Sequence, residues 1–94
     1  LKTIIINGNN FSDLESFYTG IDKILTKDLT WKTGHNLSAF NDLLCGGFGV
    51  FEYNEEIKII WRNFKKSKSG PGADLTGVLV EIINDHSHID FAMI

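Results

Sequence analysis

Three short apolar runs rich in β-branched residues stand at the start, middle and end of the chain. They read TIIIN (Thr3–Asn7), IKIIW (Ile57–Trp61) and HIDFAMI (His88–Ile94). Each has the length and composition of a strand. The nearly continuous isoleucines of the first predict a strand buried in the core. In the last, Ile89, Phe91 and Met93 fall on one face. The long intervals between the runs carry apolar residues at helical spacing. Strands joined through helices predict a parallel sheet with right-handed crossovers, hence an α/β fold. The 94 residues form one domain, 1–94.

The clearest helix carries Leu14, Phe17, Tyr18, Ile21, Ile24 and Leu25. Ser12, with Glu15 three residues on, predicts a capping box at its start. Gly20 inside it costs about 1 kcal/mol relative to alanine. The second helix lies in GHNLSAFNDLLCGG (Gly34–Gly47), with Asn36 as its N-cap and Gly46 and Gly47 as a left-handed stop. A helical turn or two follows the middle strand around Asn63–Lys68, then a loop at Ser69–Gly72. Leu75, Val78, Leu79, Ile82 and Ile83 fit a last helix behind an Asp74 cap, although the β-branched GVLVEII segment also suits a strand.

A hydrophobic fraction of 43% and a charged fraction of 22% are those of a globular chain. Cys45 is the only cysteine, which rules out an intrachain disulfide and a thiolate-pair metal site and fits a reducing cytoplasm. The apolar runs are too short to span a bilayer, and no leader pattern precedes the first strand. A start at Leu1 rather than Met points to a trimmed N-terminus. A net charge of −3 argues against nucleic acid or an anionic membrane as the main partner. The charges are unevenly placed. Between Lys32 and Lys58 there is no Lys or Arg, while Asp42, Glu52, Glu55 and Glu56 all fall there; Arg62, Lys65, Lys66 and Lys68 follow.

On the second helix Leu37, Ala39, Phe40, Leu43 and Leu44 share one side, and Ser38, Asn41, Asp42 and Cys45 the other, with His35 projecting nearby. Asp42 lies one turn after Ser38. It faces the partial negative charge of the helix C-terminus, where helix stability alone does not favour an acid. His35, Ser38 and Asp42 do not form a catalytic triad: seven helical residues separate His35 from Asp42 by roughly 10 Å, too far for the acid to orient the imidazole. In DHSHID, His86, His88 and Asp90 would point the same way from a strand, a spacing that can hold a metal or build a small metal-dependent enzyme. The GPG loop lacks the features of a phosphate-binding loop.

Several stretches resemble the barstar family of bacterial ribonuclease inhibitors. ING (Ile6–Gly8) ends the first strand as in the family, and GHNLSAFNDLL is similar to its Gly-x-Asn-Leu-Asp-Ala-Leu-x-Asp-x-Leu helix. Glu52-Tyr53 resembles a Glu-Tyr pair before the second strand, and WRNFKKSK (Trp61–Lys68) a Trp-Arg-x-Phe-x-x-Ser-Lys pattern. The likeness covers nearly the whole chain, with a small insertion near Asn54–Glu56 and looser agreement after Gly70.

The resemblance implies a three-stranded parallel sheet packed with about four helices and no cofactor. It also implies an intracellular immunity protein, not an enzyme, that binds a secreted ribonuclease or related basic-site toxin as a 1:1 complex. The second helix and the loop before it would plug the toxin's active site, with acids standing in for RNA phosphates. On these matches the partner-binding residues are Gly34, Asn36, Asp42 and Glu52, with His35, Ser38 and Asn41 as polar contacts and Trp31 near a position where the family has aromatics. The chain departs from the family in three places. Ser38 replaces the first helix acid, Asn41 replaces an aromatic, and Lys32-Thr33 stand where two aromatics are usual. Asn84 or Asp85 is nearest to a further family acid. Two other readings stand beside this one: a divergent barstar-fold module for a partner that is not a ribonuclease, and the metal-binding enzyme using His86, His88 and Asp90.

Overall fold

The computed structural model describes residues 1–27, 34–69 and 72–94. The chain runs β1 (Lys2–Asn7), a 3-10 turn (Gly8–Asn10), α1 (Leu14–Leu25), α2 (Leu37–Cys45), β2 (Ile57–Arg62), α3 (Phe64–Ser69), α4 (Ala73–Asn84) and β3 (Ile89–Met93). The sheet order is β1-β2-β3, with both pairs parallel; Ile4 lies beside Ile59 and Ile59 beside Phe91. This is the α/β architecture expected from the strand–helix alternation, and the GVLVEII segment is helical.

Strand order explains which faces are dry. Two successive right-handed crossovers stepping the same way along a sheet put their helices on one face and leave the other uncovered. Ile57, Ile59 and Trp61 of β2 are fully buried on the covered face, joined by Ile4 and Ile6 of β1. The continuous isoleucine run predicts burial throughout β1. In fact the intervening Ile5 is 41% exposed on the open face, in register with half-buried Ile60. The alternation imposed by the pleat therefore overrides the apolar run.

The core joins the sheet to Phe17, Tyr18, Ile21 and Leu25 of α1, Phe40, Leu43 and Leu44 of α2, and Leu79 and Ile83 of α4. Its centre is aromatic: Phe17 stacks on Trp61 with ring centroids 5.5 Å apart, while Phe11 and Phe40 meet Phe17 edge-on. Trp61 Nε1–H donates to Ser67 Oγ at 2.9 Å, so the buried indole is satisfied from within its own segment. The Ser67 carbonyl in turn accepts from the Thr76 hydroxyl, which ties α3 to α4. Gly8 sits against this junction. A Cβ there would lie 2.3 Å from the Asn63 carbonyl oxygen and 2.5 Å from Ser67 Oγ, a space only glycine fits.

Two caps differ from expectation. At α1 the N-cap is Asp13, one residue later than predicted. Its carboxylate accepts from Ser16 N–H at 2.8 Å, and Ser16 Oγ accepts from Asp13 N–H at 3.2 Å. These hydrogen bonds hold the Asp13 carboxyl below its usual pKa, the backbone one foremost. Ser12 and Glu15 have the same spacing and suitable chemistry, but Glu15 is engaged elsewhere, as described below. At α4 the N-cap is Gly72, without a side-chain cap, and Asp74 lies inside the first turn, where its charge suits the helix N-terminus. Ser69, expected to begin a loop, closes α3; the Gly70-Pro71 portion of that loop lies outside the described residues. No described helix is long and apolar enough to cross a membrane.

Candidate functional site

α2 is set in a rigid frame before its outer face is considered. Asn36 Oδ1 accepts from Ala39 N–H at 2.8 Å, the expected N-cap. Gly46 and Gly47 end the helix with φ near +90°. Gly46 is held tightly, since a Cβ on it would come within 2.4 Å of the Glu52 carbonyl oxygen. The last carbonyls of a helix lack intrahelical partners. Here Leu44 O accepts from His88 Nε2–H at 2.8 Å, Cys45 O from Asn54 N–H at 2.8 Å and Leu43 O from Gly46 N–H at 3.1 Å. Contacts from the turn before β3 and from the loop before β2 thus fix the C-terminal end of α2.

The polar residues of this region divide into those turned outward and those used internally. Ser38, Asn41 and Asp42 are exposed on α2, while Phe40, Leu43 and Leu44 are buried beneath it. Leu37, expected on the buried side, is 37% exposed at the first turn. Asn41 Oδ1 accepts from His86 Nε2 at 2.9 Å. Ser38 and Asp42 are one turn apart on this outer surface. Gly34 and Asn36 are exposed beside it. Beyond the helix, Glu52 and Glu56 are exposed, whereas Glu55 is half-buried. The Glu55 carboxylate accepts from Glu52 N–H at 2.9 Å and pairs with Lys2 Nζ at 3.6 Å, so it shapes its own loop. Trp31, together with Lys32 and Thr33, lies outside the described residues.

His35 occupies a different position from the one the sequence pattern assigned to it. Its side chain is only 9% exposed and turns into α1. Nδ1 is hydrogen-bonded to the Glu15 carboxylate, Nε2 to Asp22 Oδ2 at 2.8 Å, and the ring lies over Tyr18 with centroids 5.7 Å apart. The two carboxylates, Glu15 foremost, hold the His35 imidazolium above the usual histidine range against the opposing effect of burial. Burial, with the Glu15 charge second, pushes the Tyr18 phenol up. His35 thus pins the chain one residue before the α2 cap to α1. The one-residue shift of the α1 cap makes this contact available, because Ser16 rather than Glu15 completes the capping box.

The expected convergence of His86, His88 and Asp90 on a strand does not occur. His86 and His88 precede β3, and their rings meet edge-on at 5.4 Å. Their Nε2 atoms serve Asn41 and Leu44 O. Asp90 sits on the open sheet face in register with Lys58. Among the described residues no group of three His, Cys, Asp or Glu side chains is arranged to hold a metal. Burial and neighbouring His88 lower the His86 pKa, with Asp85 opposing.

Tyr53 is not among the contact residues that the sequence pattern points to. It is 70% exposed on a tight turn whose next residue, Asn54, has φ 57°, and the turn is tied to α2 through Asn54 N–H. A large exposed aromatic beside an outward acidic face is typical of interface anchors. Its sequence signals are the neighbouring glutamates and the Glu52-Tyr53 match to the family's Glu-Tyr pair.

A family model described as barstar (barnase inhibitor) matches residues 1–90. The chain belongs to the barstar family. Barstar-family proteins are inhibitors rather than enzymes, and membership implies a ribonuclease partner. A search of curated proteins finds no match. Several stretches that carry the barstar likeness have structural roles here: Gly8 admits the α3 segment, Trp61 and Ser67 bond to each other, and Asn36 caps α2.

Proposed function

We propose that this barstar-family protein inhibits a ribonuclease toxin by laying the outer face of α2 over the toxin's basic active site, as a 1:1 complex in the cytoplasm of the producing or resisting bacterium. Asp42 enters the phosphate-binding pocket in place of an RNA phosphate. Ser38 and Asn41 make polar contacts around it, and Glu52, Glu56 and Tyr53 form the rim. The observation that carries this reading is the outward Asp42 on a helix whose far end is held by His88, Asn54 and Gly46. A preorganised surface loses little conformational entropy on binding. The acid-only interval between Lys32 and Lys58 supplies the field that steers a basic partner.

Ser38 and Asn41 stand where the family has an acid and an aromatic, so the partner differs from barnase in the pocket these residues meet. Asn41 is already paired with His86, which limits it to contacts compatible with that bond. His35 supports the interface from behind. The test is capture of partners from the source cell on the immobilised protein, followed by ribonuclease assay of the eluted protein. Recovery of a ribonuclease that the protein inhibits stoichiometrically is the expected result. Capture of a partner without ribonuclease activity, or lack of inhibition of the captured enzyme, would refute it.

A further inference from the structure

The end of the sheet away from the acidic loop holds a second feature. Glu55 and Glu56 immediately precede the first residue of β2, whereas the basic residues follow its last. Because all three strands are parallel, the two charge clusters lie at opposite ends of the strands. At the carboxyl ends an open cleft of about 580 Å³ lies between the turn after β1, the start of α3 and the end of β3. Among the described residues Lys65, Lys66 and Lys68 line it together with Ile94, and no Asp or Glu side chain does. A protein of net charge −3 therefore concentrates positive charge around one concavity.

The cleft is also partly apolar and partly rigid. Phe64 and Met93 form its apolar side, and Lys68 Nζ lies 5.4 Å from the Phe64 ring centroid. Asn9 and Asn63 add side-chain amides to the lining. Asn63 adopts φ 55°, a left-handed conformation that asparagine tolerates, and its Nδ2 donates to Asn7 Oδ1 at 2.9 Å. The ends of β1 and β2 are thereby locked to each other beneath the lysines. The volume falls within the roughly 300–1,000 Å³ of small-molecule sites.

We propose that this cleft binds a nucleoside phosphate, its phosphate among the Lys65, Lys66 and Lys68 ammonium groups and its base against Phe64 and Met93. A bare phosphate ion would leave the apolar side empty, and a neutral apolar molecule would gain nothing from the positive charge. The site is independent of the α2 face and of the inhibitory role.

Heteronuclear NMR titration of the full chain with AMP at low salt, beside adenosine and inorganic phosphate, tests the assignment. AMP is expected to shift the amides of Asn9 and of the α3 residues saturably, with both fragments at least about tenfold weaker, as befits a site using both halves of the ligand. Lys65→Ala with Lys68→Ala should weaken AMP about tenfold, whereas Lys23→Ala, on the exposed side of α1, should not. The amide spectrum of each variant reports whether it is folded. Absence of a saturable shift at millimolar AMP, inorganic phosphate binding as tightly as AMP, or equal weakening by Lys23→Ala would each overturn the proposal.

Discussion

Replacing His35 by glutamine keeps a polar side chain between α1 and the start of α2 but removes the positive charge. The bond to Asp22, whose side chain is 22% exposed, then keeps its charged acceptor but loses its charged donor. Hydrogen bonds to charged groups contribute about 1.5–3 kcal/mol, and glutamine still offers Asp22 one of these, so only the ion-pair part is lost, about 1 kcal/mol. The Glu15 carboxylate is 66% exposed, and its share is that of a surface pair, about 0–1 kcal/mol. His35→Gln should therefore destabilise the protein by about 1–2 kcal/mol at mildly acidic pH. The pH dependence follows in sign from the raised pKa of His35. The stabilisation is fully present below the unfolded value of about 6.5 and is lost as pH rises through the folded value. His86 works in the opposite sense. Its folded pKa is lowered, so stability is lost as pH falls from about 6.5 through that value. Together the two histidines give a stability maximum near neutral pH, with His35 shaping the alkaline limb and His86 the acidic one. Urea denaturation between about pH 5 and pH 9, on the parent protein, His35→Gln and His86→Gln, separates them. Parallel loss of stability above about pH 6.5 in the parent and in His35→Gln would refute the reasoning.

Three other changes have definite expected signs. Ser67→Ala leaves the buried Trp61 Nε1–H without its acceptor and should cost about 1–3 kcal/mol in denaturation experiments. Gly20→Ala, in the interior of α1 with nothing within 4 Å of the added Cβ, should instead stabilise by about 0.5–1 kcal/mol. Association with the ribonuclease partner should slow steeply as salt is added, since the steering field comes from exposed acids; stopped-flow rates independent of salt would remove steering from the account.

Much of the architecture was legible because it is written in local patterns. The three strand-like runs, the α1 stripe and the Asn36 cap each depend on neighbours within a few residues. The rest depended on distant contacts. Ser12-Glu15 and Asp13-Ser16 were equally good capping pairs by type and spacing, and one observable difference is that Glu15 bonds to His35, twenty residues away. The exposure of Ile5 follows from strand order, which no single run encodes. His86 and His88 looked like ligands because a period-two pattern places them on one side. They instead precede the strand and hold Asn41 and the end of α2, more than forty residues earlier. Within the candidate site, Asp42 stood out because an acid near a helix C-terminus has no local justification. Tyr53 had no such anomaly, since the side-chain exposure of a turn residue is set by the fold around it.

The central claim, that Asp42 on α2 is aimed at a ribonuclease active site, is tested most directly by comparing Asp42→Ala with Glu56→Ala in the Kd for the captured ribonuclease. Truncation of a buried interface acid costs 2 kcal/mol or more, about thirtyfold in Kd; an acid of barstar itself is the type case of an extreme effect, so this scale is borrowed from the family. A rim charge such as the exposed Glu56 should change Kd by about fivefold at most. The account predicts a loss of at least about thirtyfold for Asp42→Ala, with the variant as stable as the parent. Equal and small effects of the two substitutions would contradict it.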